Sequence, residues 1–244
     1  MMGAMDASLT APLALGFVLG LRHALDADHI AAVSALVSQH RSVARSCLLG
    51  AFWGAGHTTA LLVAAIGVIG FKLTISPSVG HALEMVVALL LGALGGHVLL
   101  RSVGSWRLHR HEHVHDGRRH SHFHVHAHPE PAHEQAAHAH GHRHLIRLAG
   151  RPFLVGLLHG MAGSAALMLL VLAAIPSPVG GLLYVLVFGI GSTAGMLLLS
   201  GLIGLPFVIT AGRSRAALLG IQALAGATSL LLGCFLAWDL SRLG

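Results

Sequence analysis

The chain has 244 residues, of which 55% are hydrophobic and 10% are charged, and its mean hydropathy is +0.75. A soluble domain carries about 25% charged residues, so this composition indicates an integral membrane protein. Six membrane spans and their loops would use the whole length, which leaves no room for a soluble catalytic domain.

Six stretches are long enough to cross about 30 Å of hydrocarbon as helices, which takes roughly 20 residues each. The residues before the first stretch lack the basic segment of a cleaved signal peptide, so we expect that stretch to remain as a helix. In chain order, we predict spans at 10–37, 44–71, 79–103, 152–175, 180–210 and 215–240.

The first predicted span contains the polar hexad His23-Ala24-Leu25-Asp26-Ala27-Asp28, followed directly by His29. Charged groups inside a bilayer are costly and usually serve an ion path or a bound ligand. Imidazoles and carboxylates without a thiol suit a divalent cation such as nickel, cobalt or zinc. Arg22 is expected to balance the two negative charges when no ion is bound. The alternative is a buried salt bridge between Arg22 and Asp26, which leaves the other polar residues without a role.

The spacing of these residues predicts a break in the first helix. On an ideal helix, His23, Asp26 and His29 fall within about 120° of one another, whereas Asp28 points elsewhere. All four can face one ion only if the helix unwinds or bulges, as helices do at functional sites that line a cavity. We therefore predict an interruption between His23 and His29.

Later spans offer fewer candidate ligands. The second span contains Gly54-Ala55-Gly56-His57-Thr58-Thr59, in which glycines permit close helix packing and His57 is a candidate ligand. The alternative for His57 is a core histidine bonded to a neighbouring carbonyl group. Glu84 and His97 of the third span have no distinctive context, and we do not predict them as ligands.

Between the third and fourth spans, residues 106–150 are polar and show no apolar periodicity. A histidine-rich tract is typical of metal binding, and this composition cannot build a core, so we expect the segment to bind metal and to be disordered without it. Its 14 histidines are His109, His111, His113, His115, His120, His122, His124, His126, His128, His133, His138, His140, His142 and His144.

The two halves of the chain resemble each other at an offset near 136 residues. Residues 19–24 align with 155–160, and residues 53–58 align with 188–193. The alternative is chance similarity among glycine- and leucine-rich helices. In this alignment His159 takes the position of His23, which makes it a further candidate ligand.

Each half contains three predicted spans, and an odd number makes the two halves enter the membrane from opposite sides. We therefore predict an all-α integral membrane protein of six transmembrane helices, arranged as two inverted three-helix repeats. The repeats are residues 1–105 and 151–244, and helices 1 and 4 are expected to be interrupted near the midplane.

The arginines indicate an orientation in the membrane. With six spans, twelve basic residues fall on one side of the membrane, whereas only Lys72 and Arg242 fall on the other side. Because cytoplasmic loops carry the excess of Lys and Arg, we place both termini outside the cytoplasm and the histidine-rich segment inside it. The positive charge therefore reports orientation in the cytoplasmic membrane and does not indicate a nucleic-acid surface.

These motifs resemble those of the nickel/cobalt transporter (NiCoT) family. Residues 22–30 match its His-x4-Asp-His signature, residues 52–58 look like its second motif, and residues 157–166 are similar to the urease-associated nickel permease branch. The resemblance implies a permease that takes up nickel, and in some members cobalt, for enzymes such as urease and hydrogenase. It implies metal-site roles for His23, Asp28, His29 and His57.

In this interpretation Ni²⁺ or Co²⁺ is the substrate, no prosthetic group is expected, and a cytoplasmic metallochaperone is a candidate partner. Gly163-Ser164-Ala165 stands where larger family members have an acidic motif, so the ligands of the second half stay open. The alternatives to a permease are a membrane enzyme with intramembrane haem or di-iron, and a membrane-anchored metal store or sensor.

The sequence contains features of both nickel uptake and nickel efflux proteins. The histidine-rich segment resembles nickel/cobalt efflux proteins, but those carry a glycine where this chain has Asp28, so the first motif favours uptake. Inward movement of a divalent cation gains about 4.6 kcal/mol per 100 mV, which supports roughly thousandfold accumulation. The chain contains no P-loop motif for ATP hydrolysis. Uptake driven by the membrane potential is therefore the prediction, and efflux is the alternative.

Overall fold

The computed structural model describes residues 2–74, 76–104, 109–115, 118–124, 141–162, 175 and 177–243. Within these ranges lie seven α-helices, and α3 is extended by a π-helical turn at Ile66–Gly70. The helices are α1 Met2–His23, α2 Ala27–Val37, α3 Val43–Ala65, α4 Pro77–Gly104, α5 Gly141–Ala162, α6 Pro178–Ala211 and α7 Arg215–Leu243.

Among the described residues, four helical segments are long and apolar enough to cross a membrane: Val43–Gly70, Pro77–Gly104, Pro178–Ala211 and Arg215–Arg242. They correspond to the second, third, fifth and sixth predicted spans, whose ends agree to within two residues. In the predicted fourth span, α5 ends at Ala162 and residues 163–174 lie outside the described part of the chain. The expected interruption of that span, and the six-span architecture, therefore stay predictions.

The predicted break in the first span is present. α1 ends at His23, and α2 begins at Ala27. The last turn of α1 tightens, because the amide of Leu25 donates to the carbonyl of Arg22 at 2.8 Å, a three-residue step. Asp26 is extended (φ −63°, ψ 147°) and occupies the N-cap position of α2. Its carboxylate does not cap α2, although aspartate commonly does so.

Glycines set the distances between helices. A Cβ atom on Gly20 of α1 would overlap the carbonyl oxygen of Phe188 in α6, and one on Gly56 of α3 would overlap that of Phe153 in α5. The main chains approach this closely because glycine has no side chain. As a result, α1 packs on α6, α3 packs on both α5 and α6, and α4 packs on α7. The short helix α2 contacts α6 and α7.

The middle segment contains two strands, β1 His109–His115 and β2 Arg118–His124, which pair antiparallel with His109 opposite His124. We expected this segment to be disordered without metal, so the hairpin was not predicted. Histidines alternate with other residues in this part of the sequence, and alternation is the period of a strand. His126, His128, His133, His138 and His140 lie outside the described residues.

Candidate metal centre

The break between α1 and α2 brings five predicted site residues together. His23 is the last residue of α1, and Asp28 and His29 lie in the first turn of α2. His57 lies in the middle of α3, and His159 lies near the end of α5. Four helices therefore contribute to one cluster, to which α5 brings the residue found through the internal repeat.

Three imidazoles form one side of the cluster. The Nε2 atoms of His23 and His57 lie 3.3 Å apart. The ring of His29 lies 4.5 Å from that of His23 and 5.2 Å from that of His57, measured between centroids. One nitrogen from each of the three lies within 4.8 Å of the other two. Two nitrogens bound to one metal ion at about 2.1 Å each are roughly 3.4 Å apart, so this arrangement fits a divalent ion.

Asp28 joins the other side of the cluster. Its Oδ1 atom lies 2.9 Å from Nδ1 of His29 and accepts a hydrogen bond from the His29 amide, also at 2.9 Å. Its Oδ2 atom lies 2.9 Å from Nε2 of His159. Oxygen and nitrogen atoms of these three residues again lie within 4.8 Å of one another. The carboxylate therefore connects α2 with α5, across the two halves of the chain.

The cluster is buried and incompletely hydrogen bonded. His29, His57 and His159 are each at most 2% exposed. The Nε2 atom of His29 and the Nδ1 atoms of His57 and His159 have no hydrogen-bond partner among the described residues. A buried polar atom without a partner costs roughly 1–3 kcal/mol, so native structures keep few of them. Unpaired buried ring nitrogens on three neighbouring histidines are compatible with a cation site.

Aromatic rings enclose the imidazoles. Trp53 is completely buried, and its ring centroid lies 5.3 Å from that of His29 and 5.6 Å from that of His159. The ring of Phe188 lies 5.4 Å from that of His23. These rings limit the number of water molecules around the cluster, which strengthens the interaction of a charge with its ligands.

Asp26 and Arg22 stand at the edge of the cluster. The Oδ2 atom of Asp26 lies 2.7 Å from Nδ1 of His23, and the Asp26 side chain is 54% exposed. A carboxylate in this position orients the imidazole, so that its Nε2 atom faces His57 in the cluster. Arg22 is exposed, and no ion pair joins it to either carboxylate within the part of the chain that the structure describes. Asp26 contacts the imidazole of His23 and not the guanidinium group of Arg22 in the described structure.

A cavity of about 330 Å³ adjoins the cluster and is lined by His23, Asp28, His29, His57 and His159. Two further carboxylates line it, Glu84 of α4 and Asp239 of α7. Glu84 had no distinctive sequence context, and Asp239 was not among the predicted site residues. The available signal was the spacing of Leu236, Asp239 and Leu240, which places all three on one face of a helix. His97 is exposed and does not line this cavity.

The middle segment adds no described side chain to the centre. The structure gives the backbone of His109–His115 and Arg118–His124 and of the start of α5. Metal binding by the histidines of this segment therefore stays a prediction.

Known proteins with similar sequences indicate the family of this chain. Residues 9–225 match the family model NicO, described as high-affinity nickel-transport protein. The urease accessory protein UreH of Bacillus sp. (strain TB-90) is 35% identical over 207 residues, which cover 83% of this chain and 80% of that protein. The hydrogenase nickel incorporation protein HupN of Bradyrhizobium diazoefficiens is 35% identical over 95 residues, 38% of this chain and 19% of that protein. No solved structure matches the chain.

Proposed function

The chain belongs to the NicO family of high-affinity nickel-transport proteins, and from this membership we propose that it is a secondary transporter that takes up Ni²⁺ across the cytoplasmic membrane. It is a transporter and not an enzyme, as its motifs predicted. One observation carries the proposal: imidazoles from four helices and one carboxylate meet at an interruption of the first span. The names of both relatives, which refer to urease and to nickel incorporation, support nickel as the substrate.

We assign the transported ion to the cluster of His23, Asp28, His29, His57 and His159. Imidazole nitrogen with one carboxylate suits Ni²⁺ and Co²⁺ better than the hard cations Mg²⁺ and Ca²⁺, which prefer oxygen ligands. The negative charge of Asp28 offsets part of the double positive charge that the ion carries into the bilayer. Asp26 acts on the ion through His23, whose Nδ1 atom it holds at 2.7 Å.

Reciprocal contacts support the inverted repeat. The hydroxyl groups of Thr58 and Thr193 lie 2.9 Å apart, and these residues are equivalent at an offset of 135. A Cβ atom on Gly54 would collide with Thr193, and one on Gly189, its equivalent, would collide with Thr58. Exchange of contacts between equivalent residues is what a two-fold relation between α3 and α6 requires.

This symmetry suggests how the site reaches both membrane faces. In transporters built from inverted repeats, one repeat rocks against the other around a central ion site. Here Asp28 of the first half contacts His159 of the second half, so motion between the halves changes the ligand set. We propose that this change releases the ion toward the cytoplasm.

Transport by the purified protein in liposomes tests the proposal. With an inside-negative potassium diffusion potential, we expect a nickel-sensitive dye inside the vesicles to report Ni²⁺ accumulation that collapses when the potential is removed. In cells, ⁶³Ni retained by producing and non-producing strains gives the direction. A gain identifies uptake, whereas a loss identifies the efflux alternative that the histidine-rich segment suggests. Vesicles without nickel flux would contradict both.

Deleting residues 109–144 separates a permease from a metal store. We expect the shortened protein to keep most of its initial rate of ⁶³Ni uptake, because the cluster lies in the helices and not in this segment. The matched control is the same deletion combined with Asp28→Asn, which should have no uptake above background. If the deletion alone removed all nickel retention, the protein would act as a store.

A further inference from the structure

We infer that Glu84 and Asp239 form an entrance site, which binds the divalent cation at the mouth of the cavity before the imidazoles receive it. This inference rests on the proposed function and extends it, because it specifies the route to the central site. Its evidence is the pairing of α4 with α7, the lining of the cavity and the packed core beside α2.

The pairing of α4 with α7 brings the two carboxylates to one end of the helix bundle. Gly226 packs against Gly95, and Gly233, two turns further along α7, packs against Ala88, almost two turns nearer the start of α4. The two helices therefore run antiparallel. Continuing the same pairing places the second turn of α4 beside the last turns of α7, where Glu84 and Asp239 lie.

The same cavity connects these carboxylates with the imidazoles. Glu84 and Asp239 are both exposed, and neither forms an ion pair with another residue of the described ranges. The guanidinium group of Arg242, three residues after Asp239, lies 3.8 Å over the ring of Trp238, and no ion pair joins it to Asp239 in the described structure. The inner end of the cavity is lined by His29, His57 and His159, each of which has one ring nitrogen without a hydrogen-bond partner among the described residues. One end thus carries exposed negative charge, and the other carries free ligands.

On the side of the cluster from which α2 leads away, the described residues form a packed core. α2 leads away from the cluster, and its residues Val33 and Val37 are each 1% exposed in a core that includes Leu218 of α7. Beyond them, the side-chain amide of Gln222 donates to the carbonyl of Ser38 at 2.7 Å. Packed apolar side chains leave no room for a hydrated ion. Among the described residues, the cavity that reaches the cluster is therefore the one lined by Glu84 and Asp239, at the end where α4 begins and α7 ends.

The carboxylates at the mouth and the imidazoles of the cluster bind a metal ion differently, and this difference sets the order in which the ion meets them. Carboxylate oxygens bind a hydrated divalent cation without removing all of its water, whereas imidazole nitrogens bind nickel more tightly. A cleft with one sign of charge also raises the local concentration of the opposite ion. The entrance should therefore affect capture at low nickel concentration and leave the rate at saturation unchanged.

Kinetics of the charge-neutral variants test the entrance. For Glu84→Gln combined with Asp239→Asn, we expect the apparent KM for Ni²⁺ uptake to rise roughly tenfold, with the maximal rate retained. The matched control, Glu84→Asp combined with Asp239→Glu, keeps both charges and should keep the wild-type KM. An unchanged KM in the neutral variant would overturn the inference, and so would loss of uptake at saturating nickel. Absence of uptake by the wild-type protein would instead contradict the proposed function.

Thiol labelling tests the route independently of transport. In a Cys47→Ser, Cys234→Ser background, Leu236→Cys lies in the cavity wall and Val33→Cys lies in the closed core. A membrane-impermeant thiol reagent should modify Leu236→Cys when added on the side of a C-terminal tag, and Val33→Cys should stay unmodified. Reaction of Leu236→Cys only from the other side, or faster reaction of Val33→Cys, would overturn the assigned route.

Discussion

Replacing Asp28 with asparagine should abolish nickel transport while the protein stays folded. The Asp28 carboxylate lies 2.9 Å from an imidazole nitrogen of His29 and 2.9 Å from one of His159. Asparagine has nearly the same volume but no negative charge and only one oxygen, so the doubly charged ion loses a carboxylate oxygen and part of its charge compensation. Because removing a residue that only orients a metal ligand already lowers metal affinity by about 10–100-fold, we expect the initial rate of ⁶³Ni uptake to fall by about 100-fold or more.

Size-exclusion chromatography in detergent separates loss of transport from loss of folding. Asp28→Asn should elute as a single peak at the wild-type position. The matched control is His97→Gln, since His97 is exposed on α4 and does not line the cavity, and it should transport nickel at the wild-type rate. Normal uptake by a folded Asp28→Asn protein would refute the assigned ion site.

Replacing Gly56 with valine should prevent folding. A Cβ atom at Gly56 would overlap the carbonyl oxygen of Phe153 in α5, where a main chain cannot move aside as a flexible side chain can. Overpacking in a tight core typically costs about 1–3 kcal/mol, and here it forces apart the helices that carry His57 and His159. We expect little or no monodisperse protein, and no transport from what remains.

The control for this change is Gly96→Val on α4. A Cβ atom at Gly96 meets no atom within 4 Å, so the substitution introduces the same β-branched side chain into a helix without a collision. Gly96→Val should therefore give a yield and an elution profile close to the wild type. A Gly56→Val protein with the wild-type profile would show that α3 and α5 are not in main-chain contact.

The break and the central residues were predictable because their signals are local. His23, Asp28 and His29 lie within seven residues of each other, and their spacing cannot be reconciled with one continuous helix. His57 stood beside packing glycines, and His159 was found only through the internal repeat. All five line the cavity.

The same break explains why the alternative pairing of Arg22 with Asp26 is absent from the described structure. A spacing of four residues brings side chains together only on a continuous helix, and here the chain turns after His23. Asp26 is extended and contacts His23 instead. Once the sequence predicted an interruption, the helical spacing no longer applied across it.

Asp239 and the role of Glu84 could not be predicted from local patterns. The two residues are 155 positions apart in the chain and meet through the antiparallel packing of α4 on α7, which follows from glycine contacts in three dimensions.

The hairpin in the middle segment was not predicted, for another reason. Composition indicated metal binding, and the alternating order of the histidines, which suits a strand, was not used.

The start of α2 supplies a counter-charge from the main chain itself. A helix N-terminus carries unpaired N–H groups and about half a positive elementary charge. The interruption places this terminus beside Asp28, whose carboxylate accepts the amide N–H of His29 at 2.9 Å. An unbroken helix would offer neither the free N–H groups nor the partial charge at this position. The backbone therefore supplies part of the charge compensation for Asp28 between one cargo ion and the next, a task for which the sequence had suggested Arg22.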